Sequence, residues 1–166
     1  SDAIILPGVG SFQQGMEIFE KFNLIEILNN EVIIKKKKFL GICLGMQLIM
    51  EIGTEPVTCN GLGWLKGNVN KIIDIELPVP HMGWNNINII NNEYFKDIKS
   101  KDFYFIHSYY VDVIDKKNIA ATVDYGKEFV VSIQKDNIFA TQFHPEKSQN
   151  SGLFILKNYF KEYVKS

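Results

Sequence analysis

The feature that most restricts the fold of this chain is a cysteine held between two glycines, in the string G-I-C-L-G at residues 41–45. A short β-type apolar run, Phe39 to Ile42, precedes Cys43, and a longer run with helical spacing follows it. Gly41 and Gly45 let the backbone turn sharply and let strand and helix approach each other closely. A strand that turns directly into a helix presents the turn residue at the carboxyl edge of a sheet, as in a nucleophile elbow. The string therefore predicts an α/β fold with Cys43 at a sheet edge, where it is either a reactive thiol or a small buried side chain in a tight turn.

The first half of the chain repeats this strand-loop-helix pattern. The apolar run Ala3 to Leu6 ends at the loop Pro7 to Gly10, and helical spacing follows from Met16 to Ile25. Two such units in succession favour a parallel sheet covered by helices. The last segment, Gly152 to Lys165, again has helical spacing, and we expect its apolar stripe to pack on the core through Leu153, Leu156, Phe160 and Val164.

The second half has the pattern of antiparallel β structure. Short β-type runs are separated by turn residues such as those at 135–137, which is typical of strands and hairpins. The predicted fold is thus an open, mostly parallel sheet covered by helices, with additional antiparallel strands in the C-terminal half. The runs are Val69 to Ile75, Trp84 to Ile90, Phe103 to Val111, Ile119 to Asp124, Phe129 to Gln134 and Ile138 to Phe143.

Composition restricts the class of protein further. With 166 residues, 46% of them hydrophobic, the chain is long enough for one core, and we expect a single domain over 1–166. Eighteen basic and nineteen acidic side chains leave a net charge of −1, which indicates neither nucleic acid nor anionic membrane as a partner. No apolar stretch approaches the roughly 20 residues of a membrane span, and no secretory leader opens the sequence, so a cytoplasmic location is predicted.

Two cysteines and three histidines are the remaining candidates for special chemistry. A reducing compartment argues against a disulfide between Cys43 and Cys59, and Cys59 lies among turn formers with no partner motif, so we interpret it as structural or incidental. The three histidines lack the spacing of metal ligands. No metal and no cofactor are therefore predicted.

A partner for the thiol is found in the string H-P-E at 144–146. Along an extended strand, His144 and Glu146 would point to the same face, with their Cα atoms about 7 Å apart. A carboxylate there can fix the imidazole tautomer while the other ring nitrogen faces the thiol. Cys43, His144 and Glu146 thus form a candidate catalytic triad, and a helix N-terminus at Cys43 is expected to lower the thiol pKa and favour the thiolate.

Acyl-transfer chemistry also needs donors for an oxyanion. The loop P-G-V-G at 7–10 leaves the carboxyl end of a neighbouring strand with exposed backbone N–H groups. We expect Val9 and Gly10 to supply one donor and the backbone amide of Leu44 to supply the other.

These strings resemble a known family. G-I-C-L-G-M-Q with a distant H-P-E is similar to the class I (triad) glutamine amidotransferases. Four further strings resemble the glutaminase subunits of imidazole glycerol phosphate synthase: P-G-V-G-S-F at 7–12, P-H-M-G-W-N at 80–85, F-Y-F-I-H-S-Y at 103–109 and H-P-E-K-S at 144–148. The resemblance implies hydrolysis of L-glutamine through a thioester, with Cys43 as nucleophile, His144 as acid and base, and Glu146 as the group that orients it.

The resemblance also implies a glutamine site and a protein partner. Gly10, Gln47 and the segment His107, Ser108 and Tyr109 match positions that hold L-glutamine, although His107 also fits an ordinary strand histidine. The implied partner is a (β/α)8-barrel cyclase, which forms a heterodimer with the glutaminase. It receives the ammonia and makes imidazole glycerol phosphate and aminoimidazole carboxamide ribotide in histidine biosynthesis.

A docking face for this cyclase is implied at five residues. They are His81, Met82, Trp84, Asn85 and Lys147, and alternation along a strand would turn Lys147 away from the triad pair. Trp84 alternatively fits a core aromatic.

One departure from the family leaves alternatives open. Family members open with a further strand, a glycine-containing loop and helix, and a second strand, roughly 35 to 45 residues as a βαβ-sized unit. The present sequence starts after such a unit, so we expect an N-terminally incomplete glutaminase domain. Two other hypotheses stand beside the leading one: a paralogous glutaminase that feeds a different acceptor, such as a sugar amidotransferase, and a non-catalytic remnant subunit.

Overall fold

In a computed structural model of the chain, residues 2–91 and 93–161 are described, and they form one curled mixed sheet with helices packed on it. The strands of this part of the chain are β1 Ala3–Gly8, β2 Lys38–Cys43, β3 Met50–Gly53, β4 Cys59–Asn60, β5 Leu65–Lys71, β6 His81–Ile89, β7 Asp102–His107, β8 Tyr109–Val113, β9 Ile119–Asp124, β10 Glu128–Lys135 and β11 Ile138–Thr141. The α-helices are α1 Phe12–Lys21, α2 Leu24–Leu28, α3 Leu44–Leu48 and α4 Gln149–Tyr159, with a π-helical turn Asn29–Ile34 and 3-10 turns Lys116–Asn118 and Pro145–Lys147.

The main path through the sheet has the strand order β1-β2-β11-β10-β8-β5-β3-β4, and β6, β7 and β9 join it at the side. Three pairings are parallel: β1 with β2, β2 with β11, and β3 with β5. The other pairings between described strands are antiparallel and lie mostly in the second half of the chain. The predicted α/β class is confirmed, while antiparallel pairing takes a larger share of the sheet than expected.

The parallel strands bring the predicted functional strings to one edge. In register, Gly8 of β1 lies beside Cys43 of β2, and Thr141 of β11 lies beside Ile42. Because all three strands run in the same direction, their carboxyl ends meet at that edge. The loop after β1, the cysteine and the residues after β11 therefore converge, as the sequence pattern indicates.

Apolar side chains form two clusters, and adjacent residues of β2 belong to different ones. Phe39 packs in the cluster that holds α1 and α3, whereas Leu40 packs in an aromatic cluster with Phe103, Phe143 and Tyr159. Successive strand residues point to opposite faces, so these clusters cover the two faces of the sheet.

Three predicted elements differ from the structure. The helix after the elbow has only five residues, because the carbonyls of Leu48 and Ile49 accept backbone N–H groups from the segment 62–65 and the chain continues as β3. The run predicted over 103–111 is split at Ser108 into β7 and β8. In α4 the buried stripe is formed by Ser151, Ile155 and Tyr159, with Leu156 and Phe160 partly buried, whereas Leu153 is 61% exposed. Val164 and Lys165 lie outside the described residues.

Within 2–91 and 93–161 the structure contains no helix that is both long and apolar enough to cross a membrane.

Candidate active site

The elbow at Cys43 has the tight geometry that its glycines suggest. Cys43 adopts φ 55° and ψ −111°, outside the regions that a residue with a side chain normally occupies. A Cβ atom on Gly45 would lie 1.9 Å from the carbonyl oxygen of Leu6, and one on Gly41 would lie 2.8 Å from that of Gly45. Both glycines are therefore required for β1, β2 and α3 to approach each other at this point.

The thiol of Cys43 is buried at this turn. Its Sγ atom lies 4.0 Å from the carbonyl oxygen of Ile106, which can accept the S–H proton, and the side-chain amide of Gln142 donates to Sγ at 3.7 Å. Burial raises the thiol pKa to about 11, and the negative charge of Glu146 also raises it; a hydrogen bond from the Leu44 backbone, the charge of Lys147 and the Gln142 amide lower it. The expectation of a lowered pKa is therefore wrong, because a helix of five residues does not offset desolvation. The thiol is neutral at rest and needs a base.

His144 supplies a nitrogen suited to that role. Its Nδ1 atom lies 2.7 Å from Oε1 of Glu146, which fixes the proton on Nδ1 and leaves Nε2 as the acceptor in the neutral ring. Nε2 is buried and has no hydrogen-bond partner among the described residues. An unpartnered buried nitrogen is costly unless a substrate or a reacting proton uses it.

The backbone around His144 is fixed from two sides. Its N–H donates to the carbonyl of Tyr104 on β7 at 3.0 Å, and its carbonyl accepts from the Ser148 hydroxyl at 2.6 Å. The same hydroxyl accepts the Tyr104 N–H at 3.0 Å. Ser148 therefore ties the histidine to the neighbouring strand, a role that the sequence analysis missed.

The side chains of His144 and Glu146 are brought together by a different local structure from the one predicted. Strand β11 ends at Thr141, and His144 caps the 3-10 turn Pro145–Lys147, so Glu146 returns to the imidazole through a turn and not by alternation along a strand. Lys147 is likewise not turned away from the site, since it borders the cavity described below and its Nζ lies 6.0 Å from the centre of the Tyr104 ring.

A cavity of about 360 Å³ lies over the thiol. This volume falls within the range of small-molecule sites. Its walls contain every predicted oxyanion and glutamine-binding residue together with two members of the triad. The lining residues are Val9, Gly10, Cys43, Leu44, Gln47, Glu55, Pro80, Ile106, His107, Ser108, Tyr109, His144 and Lys147.

Glu55 is the one carboxylate among these lining residues, and it was not among the residues predicted from the sequence. Its Oε2 accepts the backbone N–H of Phe12 at 3.3 Å, and burial raises its pKa above the ordinary value. A turn-rich string with a single glutamate carries no signal of such a role, because the position depends on how the loop after β3 folds back over α1.

His107 borders the cavity, yet both of its ring nitrogens already have hydrogen-bond partners within the protein. Nδ1 lies 2.8 Å from the carbonyl of Tyr109, and Nε2 lies 2.9 Å from Nδ1 of His81. Burial lowers the pKa of both histidines to about 4, so both are neutral near pH 7. The side chain of His107 therefore holds the segment in place, and contact with a ligand is left to the backbone, Ser108 and Tyr109.

The predicted docking residues divide between two faces of β6. Met82 and Trp84 are 58% and 50% exposed, beside Tyr104 and Ile106 of β7. His81 is buried against His107, and Asn85 is partly buried, with its side-chain amide donating to the carbonyl of Asp124 at 3.1 Å. Strand alternation therefore removes His81 and Asn85 from the exposed strip, and the core interpretation of Trp84 does not hold.

No group of three or more histidine, cysteine or acidic side chains within 2–91 and 93–161 is arranged to hold a metal ion.

Comparison with known proteins agrees with this geometry. The family model "Glutamine amidotransferase class-I" matches residues 1–163. A crystal structure of a glutamine amidotransferase superposes with a TM-score of 0.69 at 16% identity, covering 95% of this chain and 79% of that one. The chain therefore belongs to the class I glutamine amidotransferases, and it has their fold.

Proteins with similar sequences identify one family within this class. "Imidazole glycerol phosphate synthase subunit HisH 1" of Campylobacter jejuni is 49% identical over 162 residues, which is 96% of this chain and 80% of the relative. The HisH subunit of Methanocaldococcus jannaschii is 47% identical (95% and 79% covered) and that of Pelagibacter ubique is 44% identical (96% and 79%). The chain therefore belongs to the HisH family of imidazole glycerol phosphate synthase subunits.

Proposed function

We propose that the chain hydrolyses L-glutamine with Cys43, His144 and Glu146 and passes the ammonia to a (β/α)8-barrel cyclase. The observation that carries this proposal is the buried Nε2 of His144, which has no partner among the described residues while Glu146 holds Nδ1. His144 and Cys43 line the same cavity. A remnant subunit without catalysis would have no reason to keep that nitrogen unpartnered.

The reaction begins with a neutral thiol. Nε2 of His144 takes the proton from Sγ, and the sulfur attacks the side-chain carboxamide carbon of glutamine. The carbonyl π electrons move to oxygen, and the backbone N–H groups of the Val9–Gly10 loop and of Leu44 stabilise the oxyanion. The imidazolium returns its proton to the leaving nitrogen, the C–N bond breaks and ammonia departs. Water, deprotonated by the same imidazole, then cleaves the thioester to glutamate.

Charge at the cavity suits an amino acid. Glu55 lies on one wall and can pair with the α-ammonium group, while Lys147 borders the cavity near His144. Gln47, Gly10 and the 107–109 segment line the same cavity. We expect glutamine to lie across the thiol with its backbone end toward Glu55.

The exposed strip of β6 and β7 is the proposed docking face for the cyclase. Its apolar residues are Met82, Trp84 and Ile106, which are 58%, 50% and 38% exposed, with Lys147 nearby over Tyr104. Large exposed aromatic and sulfur-containing side chains are enriched at protein interfaces. HisH relatives are named as subunits of a synthase, which supports a second subunit as occupant.

The test of the proposed reaction is Cys43→Ser in the full chain together with its cyclase. We expect glutamine-dependent product formation to disappear while synthesis from added ammonia continues, because only amide cleavage needs the sulfur. Ammonia release from glutamine and product formation are measured with both nitrogen sources. Glutamine turnover that persists in the serine variant would refute the assignment of Cys43.

A second experiment distinguishes a cyclase partner from another ammonia acceptor. Ammonia release is titrated with the cyclase and, in parallel, with a sugar amidotransferase acceptor domain. Stimulation by the cyclase alone is expected, and stimulation by the sugar acceptor would favour the paralogue hypothesis.

A further inference from the structure

A chain of hydrogen-bonded side-chain amides and imidazoles leads from β6 to the thiol, and all its members except the partly buried Asn85 are buried. We call it the amide–imidazole chain, and it has two arms that meet at the carbonyl oxygen of Tyr109. Its members are Asn85, His81 and His107 in the outer arm and Gln47 and Gln142 in the inner arm.

The direction of the inner arm follows from one fixed acceptor. The Tyr109 carbonyl can only accept, so the atom of Gln47 that lies 3.3 Å from it is the amide nitrogen. That nitrogen also lies 3.0 Å from Gln142, which must therefore present its oxygen to Gln47. The remaining end of the Gln142 amide is its NH₂ group, and it points at Sγ of Cys43 from 3.7 Å. The thiol thus faces a donor by necessity.

The outer arm holds the shared acceptor in place. Nδ1 of His107 donates to the Tyr109 carbonyl, so its Nε2 is an acceptor and takes the proton of Nδ1 of His81. Nε2 of His81 then accepts from the amide of Asn85, which also donates to the Asp124 carbonyl. With both rings neutral, each hydrogen bond along the arm therefore has a defined donor and a defined acceptor, and donation runs toward the Tyr109 carbonyl.

We propose that Gln142 is a further catalytic residue of the glutaminase reaction, whose side-chain N–H stabilises the Cys43 thiolate, and that Gln47 is the residue that positions it. This inference rests on the proposed function, because it takes Cys43 as the nucleophile. Gln142 is fully buried, so water does not replace the donor if it is removed. Hydrogen bonds to a charged acceptor in such a place are about twice as strong as neutral ones.

The other groups around the thiol do not make this donor redundant. The ionisable side chains that line the cavity are Glu55, His107, Tyr109, His144 and Lys147. The charge of Glu146 also acts on the thiol, although Glu146 is not among the lining residues. The backbone N–H of Leu44 lowers the thiol pKa more than Gln142 does, but the proposed reaction needs this N–H for the oxyanion. Lys147 is the one permanent cation among the lining residues, and its attraction is opposed by Glu146. When His144 removes the thiol proton, the electron pair stays on sulfur and the Gln142 N–H meets a full negative charge. When the S–C bond forms, the charge moves to the carbonyl oxygen and this hydrogen bond weakens.

The test replaces Gln142 by Met, which has similar length and no donor, in the full chain with Cys59→Ser to remove the second thiol. Alkylation of Cys43 by iodoacetamide is followed against pH, and kcat and KM for glutamine are measured beside it. We expect alkylation at pH 8 to slow about tenfold. This corresponds to a rise of about one pH unit in the titration of the thiol, because the thiolate fraction falls tenfold for each such unit. We expect kcat to fall about 10 to 10²-fold, which is at or below the smallest loss of kcat found when one oxyanion donor is removed. KM for glutamine should stay within about threefold of the parent value.

Thr141→Val is the matched control, since Thr141 is the preceding residue, is fully buried and gives its hydroxyl proton to the Phe143 carbonyl at 2.9 Å. It should lower the thermal midpoint without changing the alkylation profile. Gln142→Asn keeps an amide that no longer reaches sulfur, and it should resemble the Met variant.

Three outcomes overturn the proposal. These are an unchanged alkylation profile and kcat in the folded Gln142 variants, an equal change in Thr141→Val, and loss of the folded state in both Gln142 variants, which would make the residue structural. The failure of the proposed function itself is distinguishable, because it shows as glutamine turnover by Cys43→Ser.

Discussion

At the scale of single residues, the site depends on how strongly each triad member is held. His144 is 5% exposed in its side chain and Glu146 is 48% exposed, with one hydrogen bond of 2.7 Å between them. In the proposed reaction the imidazole moves protons in a dry environment, whereas water can partly replace the more exposed carboxylate. Their contributions to catalysis should therefore be unequal.

His144→Ala is expected to lower kcat by about 10³-fold or more, and Glu146→Gln by about 10 to 10²-fold, because general acid–base catalysis is lost only in the first. Steady-state glutamine hydrolysis by both variants measures the difference. Small and equal effects would mean that this pair is structural.

The members of the proposed triad could be chosen from the sequence because they lie in short characteristic strings. Cys43 is recognised by its flanking glycines and His144 by the glutamate two positions later, both of which are local patterns. Gln142 and Glu55 carry no such pattern, since their roles arise from contacts with residues that are distant in the sequence. The pKa of Cys43 was predicted in the wrong direction for the same reason: burial is a property of the whole environment.

At the scale of elements, helix α4 holds the triad turn in place by direct backbone contact. A Cβ atom on Gly152 would lie 1.7 Å from the carbonyl oxygen of Pro145, within the turn that carries Glu146. Only a glycine lets the first turn of α4 approach the 3-10 turn this closely. The position of the carboxylate is thus linked to the packing of a helix that contributes no residue to the cavity over the thiol.

Gly152→Ala should lower both stability and kcat. Alanine favours a helix over glycine by about 1 kcal/mol, but the overlap with Pro145 forces a backbone shift, and overpacking costs about 1 to 3 kcal/mol. Urea unfolding and glutamine hydrolysis measure the two effects. Leu153→Ala on the exposed side of the same helix is the control, with less than about 0.5 kcal/mol expected. If kcat is unchanged in the Gly152→Ala variant, the packing of α4 does not determine the position of the Glu146 carboxylate.

Element types were predicted better than their lengths. The β runs of the second half appear as β5 to β11, because their alternation reflects which face is buried. The short α3 and the break at Ser108 were missed, since the first depends on backbone hydrogen bonds from residues 62–65 and the second on a change of strand partner. Neither cause is visible in the local string.

At the scale of the whole molecule, the neutral His81–His107 pair makes stability depend on pH. Burial holds the pKa of both at about 4, against about 6.5 in the unfolded chain. The unfolded chain therefore binds more protons, and the stability present above pH 6.5 is lost as pH falls toward 4. With two groups, the free energy of unfolding falls by up to about 2.7 kcal/mol per pH unit in that window.

His81→Phe should reduce this acid sensitivity by about half. A phenyl ring retains the stacking of His81 between Phe105 and Tyr125, whose ring centres lie 4.6 and 4.0 Å away, and it cannot titrate. Urea unfolding at pH 7, 6 and 5 gives the slope for parent and variant. The lowered pKa of Glu31, about 2, does not interfere, because it acts below pH 4.5. An unchanged slope would show that His81 is not one of the titrating groups.

Association with the cyclase is the second prediction for the molecule as a whole. Trp84→Ala should weaken binding by about 2 kcal/mol or more, because exposed tryptophans are frequent interface anchors, while the thermal midpoint of the free subunit changes little. Glutaminase rate titrated against cyclase gives the affinity. Ile114→Ala, at an exposed isoleucine 67% accessible and off the strip, is the control. Equal affinities for both variants would remove Trp84 from the docking face.

The left-handed backbone of Cys43 has a consequence for attempts to improve the protein. A non-glycine residue at φ 55° and ψ −111° stores about 1 to 3 kcal/mol, and glycine at that position would release it. Laboratory selection for heat resistance alone would therefore favour loss of the thiol and discard the enzyme while retaining the fold. Any directed evolution of this subunit needs turnover as a second selection criterion, because heat resistance and chemistry compete for the same residue.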